Sequence, residues 1–125
     1  MNFTNQAKAL LNWNNTHLVY NSHFTKDDLR SFFAEKFTVI ANGKHFEANY
    51  DNYFEFLNEF RNSIESISYD VYEYLDGANH TTIPLKAHIF RKNGEEENFE
   101  AILILKFDAA GKVILWHEVY LTLSV

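Results

Sequence analysis

The sequence predicts one α+β domain, spanning residues 1–125, in which three helices of the N-terminal half pack on a strongly curved, mostly antiparallel sheet that encloses an apolar pocket. Helix-period apolar patterns occupy the first half of the chain, and strand-like runs joined by short turns fill the second half. A length of 125 residues suits a single core. Because 12 Phe, 7 Tyr and 2 Trp supply much of the apolar volume, their flat rings are expected to leave gaps in that core.

Two helices are predicted before the first strand. Between residue 4 and about residue 20, apolar side chains recur on one broad helical face. Thr25 and Asp28 then resemble a capping box in which Asp stands in place of Glu. The short helix that follows this box is expected to end near Glu35.

A hairpin and a third helix come next. Asn42-Gly43, between strand-like residues 37–41 and 44–48, favours a two-residue type I′ turn, because both turn positions require positive φ. From Tyr50 to Ile64, apolar residues recur at intervals of three and four. This pattern predicts a helix, for which Asn49 or Asp51 can serve as the cap.

Four strands are predicted after the third helix, at residues 66–75, 82–92, 98–107 and 112–124. The short turns between them are typical of an antiparallel meander. The last two strands are apolar on both faces, as residues 102–105 and 113–116 show, so one face needs a cover other than the helices. A homodimer through that sheet face is the simplest expectation.

Composition narrows the classes of partner. A net charge of −6 has the wrong sign for gathering nucleic-acid phosphates or for docking on anionic lipid, so neither nucleic acid nor a membrane is an expected partner. No stretch reaches the ~20 apolar residues that span a bilayer, and residues 1–8 lack a signal-peptide pattern, so a cytoplasmic location is expected. With no Cys, scattered His residues and no Gly-rich phosphate loop, no metal and no cofactor are expected.

Three short motifs carry a resemblance to a known family. They are Asn42-Gly43-Lys44 in the hairpin, Tyr50-Asp51-Asn52-Tyr53 at the start of the third helix, and Phe-Asp-Ala-Ala-Gly-Lys-Val at residues 107–113. With the order of elements, they make nearly the whole chain resemble the SnoaL-like proteins of the nuclear transport factor two (NTF2) superfamily. The resemblance implies a cystatin-like cone with a pocket between sheet and helices. Members include polyketide cyclases, ketosteroid isomerases and scytalone dehydratases.

The resemblance also points to one acidic residue. The family's acidic position on the final strand falls on Glu118. Many SnoaL-like sequences read His-Trp-Asp there, whereas this chain reads Trp116-His117-Glu118, a departure that weakens a cyclase role. Residues 37–42 contain no acid, although ketosteroid isomerases carry their general base on that hairpin. If the chain is an enzyme, Glu118 is therefore the expected catalytic acid or base.

Strand alternation places Ile114, Trp116, Glu118 and Tyr120 on one face, and the resemblance implies that this face lines the pocket. A carboxylate between Trp116 and Tyr120 would be desolvated, which would raise its pKa and suit proton transfer near neutral pH. The residues expected to line the pocket are Trp13, His17, Tyr53, Leu57, Leu105, Trp116 and Tyr120.

Other assignments stay open. Glu118 is more readily a structural hydrogen-bond acceptor than a catalytic group, and with the faces reversed it would lie in a dimer seam and leave His117 in the pocket. His88 is expected to be structural. Four tyrosines could either donate a hydrogen bond to a ligand carbonyl or serve only as packing residues of the fold. They are Tyr20, Tyr53, Tyr69 and Tyr72.

The leading functional expectation is a cofactor-free protein that binds or converts a small apolar, oxygenated molecule. An isomerase, cyclase or dehydratase acting by general acid/base chemistry would fit. The alternative is a non-catalytic ligand-binding or dimerisation module. The two classes differ in one requirement, since an enzyme needs an ionisable group within hydrogen-bond reach of its ligand.

Overall fold

The computed structural model describes residues 3–123, which form three helices and seven strands. The helices are α1 (Phe3–His17), α2 (Lys26–Phe32) and α3 (Tyr50–Arg61). The strands are β1 (Phe33–Ala41), β2 (Lys44–Asn49), β3 (Ile64–Val71), β4 (Leu75–Asp76), β5 (His80–Arg91), β6 (Glu96–Phe107) and β7 (Val113–Leu123). The predicted α+β class, with helices packed on a curved and mostly antiparallel sheet, is confirmed.

The strands follow the order β2-β1-β7-β6-β5-β3, and the short β4 pairs with β5. Pairing is antiparallel everywhere except between β1 and β7, which run parallel. The predicted meander is therefore correct for β3, β5, β6 and β7. The first hairpin joins that meander through β7, a long-range contact that local patterns cannot reveal.

The Asn42-Gly43 hairpin forms as predicted. Asn42 has φ of 47° and Gly43 has φ of 83°, both in the left-handed region that a type I′ turn requires. The third helix begins with the expected cap, because the Asn49 side chain accepts a hydrogen bond from the Asn52 backbone N–H at 2.8 Å. At the second helix, the Asp28 carboxylate accepts from the Thr25 N–H at 2.9 Å.

Several predicted boundaries were wrong by a few residues. Helix α1 ends at His17, because the Ser22 hydroxyl donates to the His17 and Val19 carbonyls in a turn. Helix α2 ends at Phe32 rather than near Glu35, since β1 starts at once to pair with β7. The predicted strand at residues 66–75 divides into β3 and β4, and Ile64 belongs to β3 rather than to α3. Ser124 lies outside the described residues.

The core lies between the helices and one face of the sheet, here called the inner face. Buried side chains on it include Ile83, Leu103 and Leu105, and α1 contributes Ala7 and Leu10. On the opposite face, here called the outer face, none of the three helices of residues 3–123 packs. None of the helices in residues 3–123 is long and apolar enough to cross a bilayer.

Candidate functional site

Glu118 lies on the inner face, in the middle of β7. The register pairs Trp116 with Leu105 and Glu118 with Leu103, and directly paired residues share a face. Leu103 and Leu105 are 2% and 0% exposed, so that face is the one the helices cover. The Glu118 carboxylate on β7 therefore faces the core. His117 lies on the outer face, where it is paired with Ile104 of β6.

A bulge changes the predicted face of one residue. The register between β6 and β7 shifts by one residue between Lys106 and Phe107, which leaves Ile114 unpaired. As a result Val113 shares the inner face with Trp116, and Ile114 is exposed. The expectation that Ile114 lies beside Trp116 and Glu118 was wrong, because simple alternation does not survive a bulge.

Glu118 has few polar partners on the inner face. Burial raises the pKa of its carboxyl, and a hydrogen bond from the Trp116 indole lowers it to a smaller extent. Two phenols lie in its electrostatic field. Burial, with the Glu118 charge adding to it, raises the pKa of Tyr53 well above its usual range and that of Tyr69 to about 12. Both phenols therefore stay protonated and can donate hydrogen bonds at physiological pH.

A buried asparagine completes the cluster. Asn14 on α1 is 6% exposed, and its Nδ2 donates to the Tyr69 hydroxyl at 3.3 Å. The residues of this inner polar cluster are Asn14, Tyr53, Tyr69, Trp116 and Glu118. A carboxyl with a raised pKa, whose charge reaches two neutral phenols, has the parts that proton transfer to or from an oxygenated molecule requires.

The other residues predicted for the pocket lie in three places. Leu57 and Leu105 are buried in the core, and Tyr120 is 38% exposed with its ring in edge contact with Phe99. Trp13 and His17 stack on each other, with ring centroids 4.6 Å apart. Trp13 also contacts the rings of Phe24 and Phe32, so its aromatic contacts lie towards α2.

The remaining candidate groups point away from the inner polar cluster. Tyr20 is exposed beneath the Lys92 ammonium, and the Tyr72 hydroxyl donates to the Glu100 carboxylate. His88 is held between Asn98 and Asp70, with Nδ1 2.6 Å from Asn98 Oδ1 and Nε2 2.9 Å from Asp70 Oδ2. These contacts support the structural role expected of His88.

Two open clefts lie on the surface of the described residues, and neither has Glu118, Trp116 or Tyr53 in its wall. A polar cleft of about 580 Å³ lies between α2, β1 and the start of α3. A second cleft of about 240 Å³ lies between α1 and β3, and Tyr69 forms part of its wall. In residues 3–123 no three His, Asp or Glu side chains are grouped to hold a metal ion.

Sequence reasoning missed Asn14 and gave Tyr69 too little weight. Asn14 continues the apolar stripe of α1, four residues after Leu10 and four before Leu18, and a polar residue within a buried stripe is the informative exception. Tyr69 lies two residues after Ile67 in β3, so both side chains are on the inner face of the sheet. Both signals were present in the sequence.

Comparison with known proteins gave structural matches alone. No protein-family model and no curated protein sequence matches the chain. An NTF2-like protein of unknown function from Exiguobacterium sp. 255-15 is 18% identical, with a TM-score of 0.65, covering 75% of this chain and 80% of its own. A protein from Jannaschia sp. CCS1, assigned as a SnoaL-like polyketide cyclase, is 11% identical, with a TM-score of 0.69 and coverage of 98% and 88%.

A third structure is an LEH-like epoxide hydrolase from M. tuberculosis. It is 9% identical to this chain, with a TM-score of 0.73, and the match covers 94% of this chain and 81% of that one. Identities this low establish architecture and leave activity open. The chain therefore has the NTF2-like fold, the α+β cone to which its sequence motifs and order of elements point.

Proposed function

We propose that the protein binds a small, apolar, oxygenated molecule and transfers a proton to or from it through Glu118. The observation that carries this proposal is the raised pKa of a core-facing carboxyl whose charge reaches two protonated phenols. A carboxyl that titrates closer to neutrality exchanges its proton more readily under physiological conditions than an exposed glutamate does.

The proposed roles of Glu118 and the two tyrosines follow from the protonation states of their side chains. Tyr53 and Tyr69 donate hydrogen bonds to an oxygen of the ligand, where negative charge develops when a neighbouring C–H proton is removed. Glu118 accepts that proton and returns it at another position, so no atom is gained or lost in an isomerisation. Leu103 and Leu105 keep the surroundings apolar, which strengthens both effects.

Carboxyl-carbon NMR titration tests the central observation. The Glu118 resonance, assigned by its loss in Glu118→Gln, is expected to titrate above the usual range of an exposed glutamate. Glu55 on the exposed side of α3 provides the matched control, since Glu55→Gln removes one carboxylate outside the cluster. A Glu118 pKa at or below the ordinary value would contradict the proposal.

A second candidate, a dimerisation module, is favoured by an outer patch of apolar side chains. Ile102, Val119 and Leu121 are 51%, 59% and 67% exposed, and Ile102 is paired directly with Val119. Adjacent exposed apolar residues on a sheet face are typical of an interface between subunits. We propose a second copy of this chain as the occupant, so that both outer faces are buried together.

Light scattering across a dilution series tests the dimer. Val119→Lys places a charge in the outer patch and is expected to shift the protein to the mass of a monomer. Thr16→Lys adds the same charge near the end of α1, where cations are favourable, and should leave the mass unchanged. A wild-type protein that is monomeric at high micromolar concentration would rule this candidate out.

Two of the three compared structures are named as a SnoaL-like polyketide cyclase and an LEH-like epoxide hydrolase. Proton transfer to or from an oxygenated molecule is common chemistry for such reactions, which supports the proposed ligand class. We also propose that the reaction needs no cofactor and that the protein is cytoplasmic.

A further inference from the structure

The inner face of the sheet is closed at one end and open at the other. Along β7, Val113 and Trp116 are 2% and 9% exposed, whereas Glu118 is partly exposed and Tyr120 is 38% exposed. Ala41, the partner of Glu118 on β1, is partly exposed as well. Exposure therefore rises towards the tip of the first hairpin, and a small molecule can approach Glu118 from that open end.

Three phenylalanines form a row of rings on the elements next to this open end, here called the aromatic ledge: Phe46 on β2, and Phe56 and Phe60 on α3. The centre of the Phe56 ring lies 5.9 Å from that of Phe46 and 6.0 Å from that of Phe60. Phe56 is 44% exposed, and the other two are partly exposed. Adjacent exposed apolar side chains are typical of a binding surface.

The pairing of the strands places the aromatic ledge on the same face as Glu118. Phe46 is paired with Val39, and Val39 is paired in turn with Trp116, two residues before Glu118. Directly paired residues share a face, so Phe46 lies on the inner face. With strands ~4.8 Å apart and a rise of ~3.4 Å per residue, the Cα atoms of Phe46 and Glu118 are about 12 Å apart. A molecule of two fused rings is long enough to contact both side chains.

Tyr53 connects the aromatic ledge to Glu118. Its ring centre lies 5.8 Å from that of Phe56, and the planes of the two rings differ by 18°. Burial, with the Glu118 charge adding to it, raises the pKa of the Tyr53 phenol. Since the planes of Phe56 and Phe60 differ by 17°, the three rings of α3 are nearly parallel, and a flat molecule can stack against them.

The charges near the aromatic ledge favour a neutral molecule. Glu55 precedes Phe56 on α3 and Glu59 follows it by one helical turn, and both carboxylates are exposed. Lys44 is exposed on β2. Two carboxylates beside one ammonium, in a protein with a net charge of −6, disfavour an anion. The apolar rings also disfavour a strongly hydrated ion of either sign.

We propose that the aromatic ledge binds a flat, neutral, oxygenated molecule of two fused rings, and that this molecule reaches Glu118 through the open end of the inner face. The inference rests on the proposed function for its link to proton transfer, whereas binding at the ledge does not require that link.

Two lactones test the ledge: coumarin, which is flat and has two fused rings, and δ-valerolactone, which has no aromatic ring. In amide NMR titrations of the wild-type protein, coumarin is expected to shift the resonances of residues 46, 56 and 60 saturably and to bind more tightly than δ-valerolactone. Coumarin should also move the carboxyl-carbon resonance of Glu118. Phe56→Gln should weaken coumarin binding about 3- to 10-fold, the effect of one ring–ring contact.

Phe90→Gln is the matched control, because Phe90 on β5 is 43% exposed and lies outside the aromatic ledge. It should bind coumarin as the wild type does. Nuclear Overhauser contacts between coumarin and the Phe56 ring in the wild type test the same site without a variant.

Four results overturn the inference: coumarin shifts confined to other surfaces, equal affinity for the two lactones, equal effects of Phe56→Gln and Phe90→Gln, or a Glu118 resonance that coumarin leaves unmoved. The carboxyl titration of Glu118 is independent of these results. Coumarin at the ledge with an ordinary Glu118 pKa would sink the proton-transfer proposal alone, and a raised pKa without coumarin at the ledge would sink the ledge alone.

Discussion

Asn42 forms a closed pair of hydrogen bonds with the backbone of Tyr120. The Tyr120 N–H donates to Asn42 Oδ1 at 2.8 Å, and Asn42 Nδ2 donates to the Tyr120 carbonyl at 3.2 Å. The Asn42 backbone N–H also donates to the Glu118 carbonyl at 3.0 Å. The tip of the first hairpin thus extends the parallel pairing of β1 with β7 and holds the strand segment that carries Glu118.

Asn42→Ala is expected to destabilise the fold by about 2–3 kcal/mol, because it removes two hydrogen bonds and places Ala at a φ of 47°. Urea unfolding measures this change. Asn42→Gly separates the two causes, since glycine keeps the turn and loses only the side-chain bonds, and it should cost less than the Ala variant. Equal losses for the two variants would show that the positive φ contributes little.

The stability of the protein is expected to depend on the proton of Glu118. Because the pKa of this carboxyl is raised above the 4.5 of an exposed glutamate, the folded protein keeps a proton that the unfolded chain releases. Between those two pKa values stability falls as the pH rises. Glu118→Gln removes this dependence, so it should be more stable than the wild type at neutral pH.

Urea unfolding of the wild type, Glu118→Gln and Glu55→Gln at several pH values tests this dependence. The advantage of Glu118→Gln should shrink as the pH falls towards about 4, where both states of the wild type hold the proton. An advantage that is constant with pH would indicate a packing effect of the amide instead.

Asn14 and Tyr69 are expected to stabilise the fold as a pair. Asn14→Leu leaves the Tyr69 hydroxyl without its donor, and Tyr69→Phe leaves the buried amide without its acceptor, so each variant should lose about 1–2 kcal/mol. The double variant should lose less than the sum, with a coupling of about 1 kcal/mol in a double-mutant cycle. Additive losses would mean that the 3.3 Å contact contributes little.

His88 is expected to keep its proton to a higher pH in the folded protein than in the unfolded chain, because both ring nitrogens face acceptor oxygens. The hydrogen bonds that its ring N–H groups donate to Asn98 Oδ1 and Asp70 Oδ2 raise the pKa of His88 above 6.5, with the Glu96 charge adding slightly. The stabilisation from these contacts is fully present below the pKa that His88 has in the unfolded chain. It is lost as the pH rises through the higher pKa of His88 in the folded protein. Since the Asp70 side chain is 75% exposed, the pair contributes less than about 1 kcal/mol.

Imidazole NMR titration of the wild type and of Asp70→Asn measures the pKa of His88 in the folded protein. This pKa should be lower in Asp70→Asn than in the wild type. Asp76→Asn removes a carboxylate on β4 outside the His88 contacts and is the control. If Asp70→Asn leaves the His88 titration unchanged, the 2.9 Å ion pair is not maintained in solution.

The sequence alone was sufficient to predict the features that depend on residues close together in the chain. The Asn42-Gly43 turn, the Asn49 cap and the alternation that places Glu118 beside Trp116 each depend on residues close in the chain. The parallel pairing of β1 with β7 and the bulge at Ile114 depend on contacts between strands that are distant in the sequence. No local sequence pattern could therefore predict them. The aromatic contacts of Trp13 have the same origin, because they come from Phe24, just before α2, and Phe32, at the end of α2.

The parallel contact between β1 and β7 has a consequence for the order of folding. Ala41 and Glu118, which are neighbours in the sheet, are separated by most of the length of the chain. Contacts of such high sequence separation form slowly, after local helices and hairpins have formed. We therefore expect that one edge of β1 stays unpaired during synthesis until β7 has emerged, and that a delay in forming β7 leaves strand edges open to aggregation.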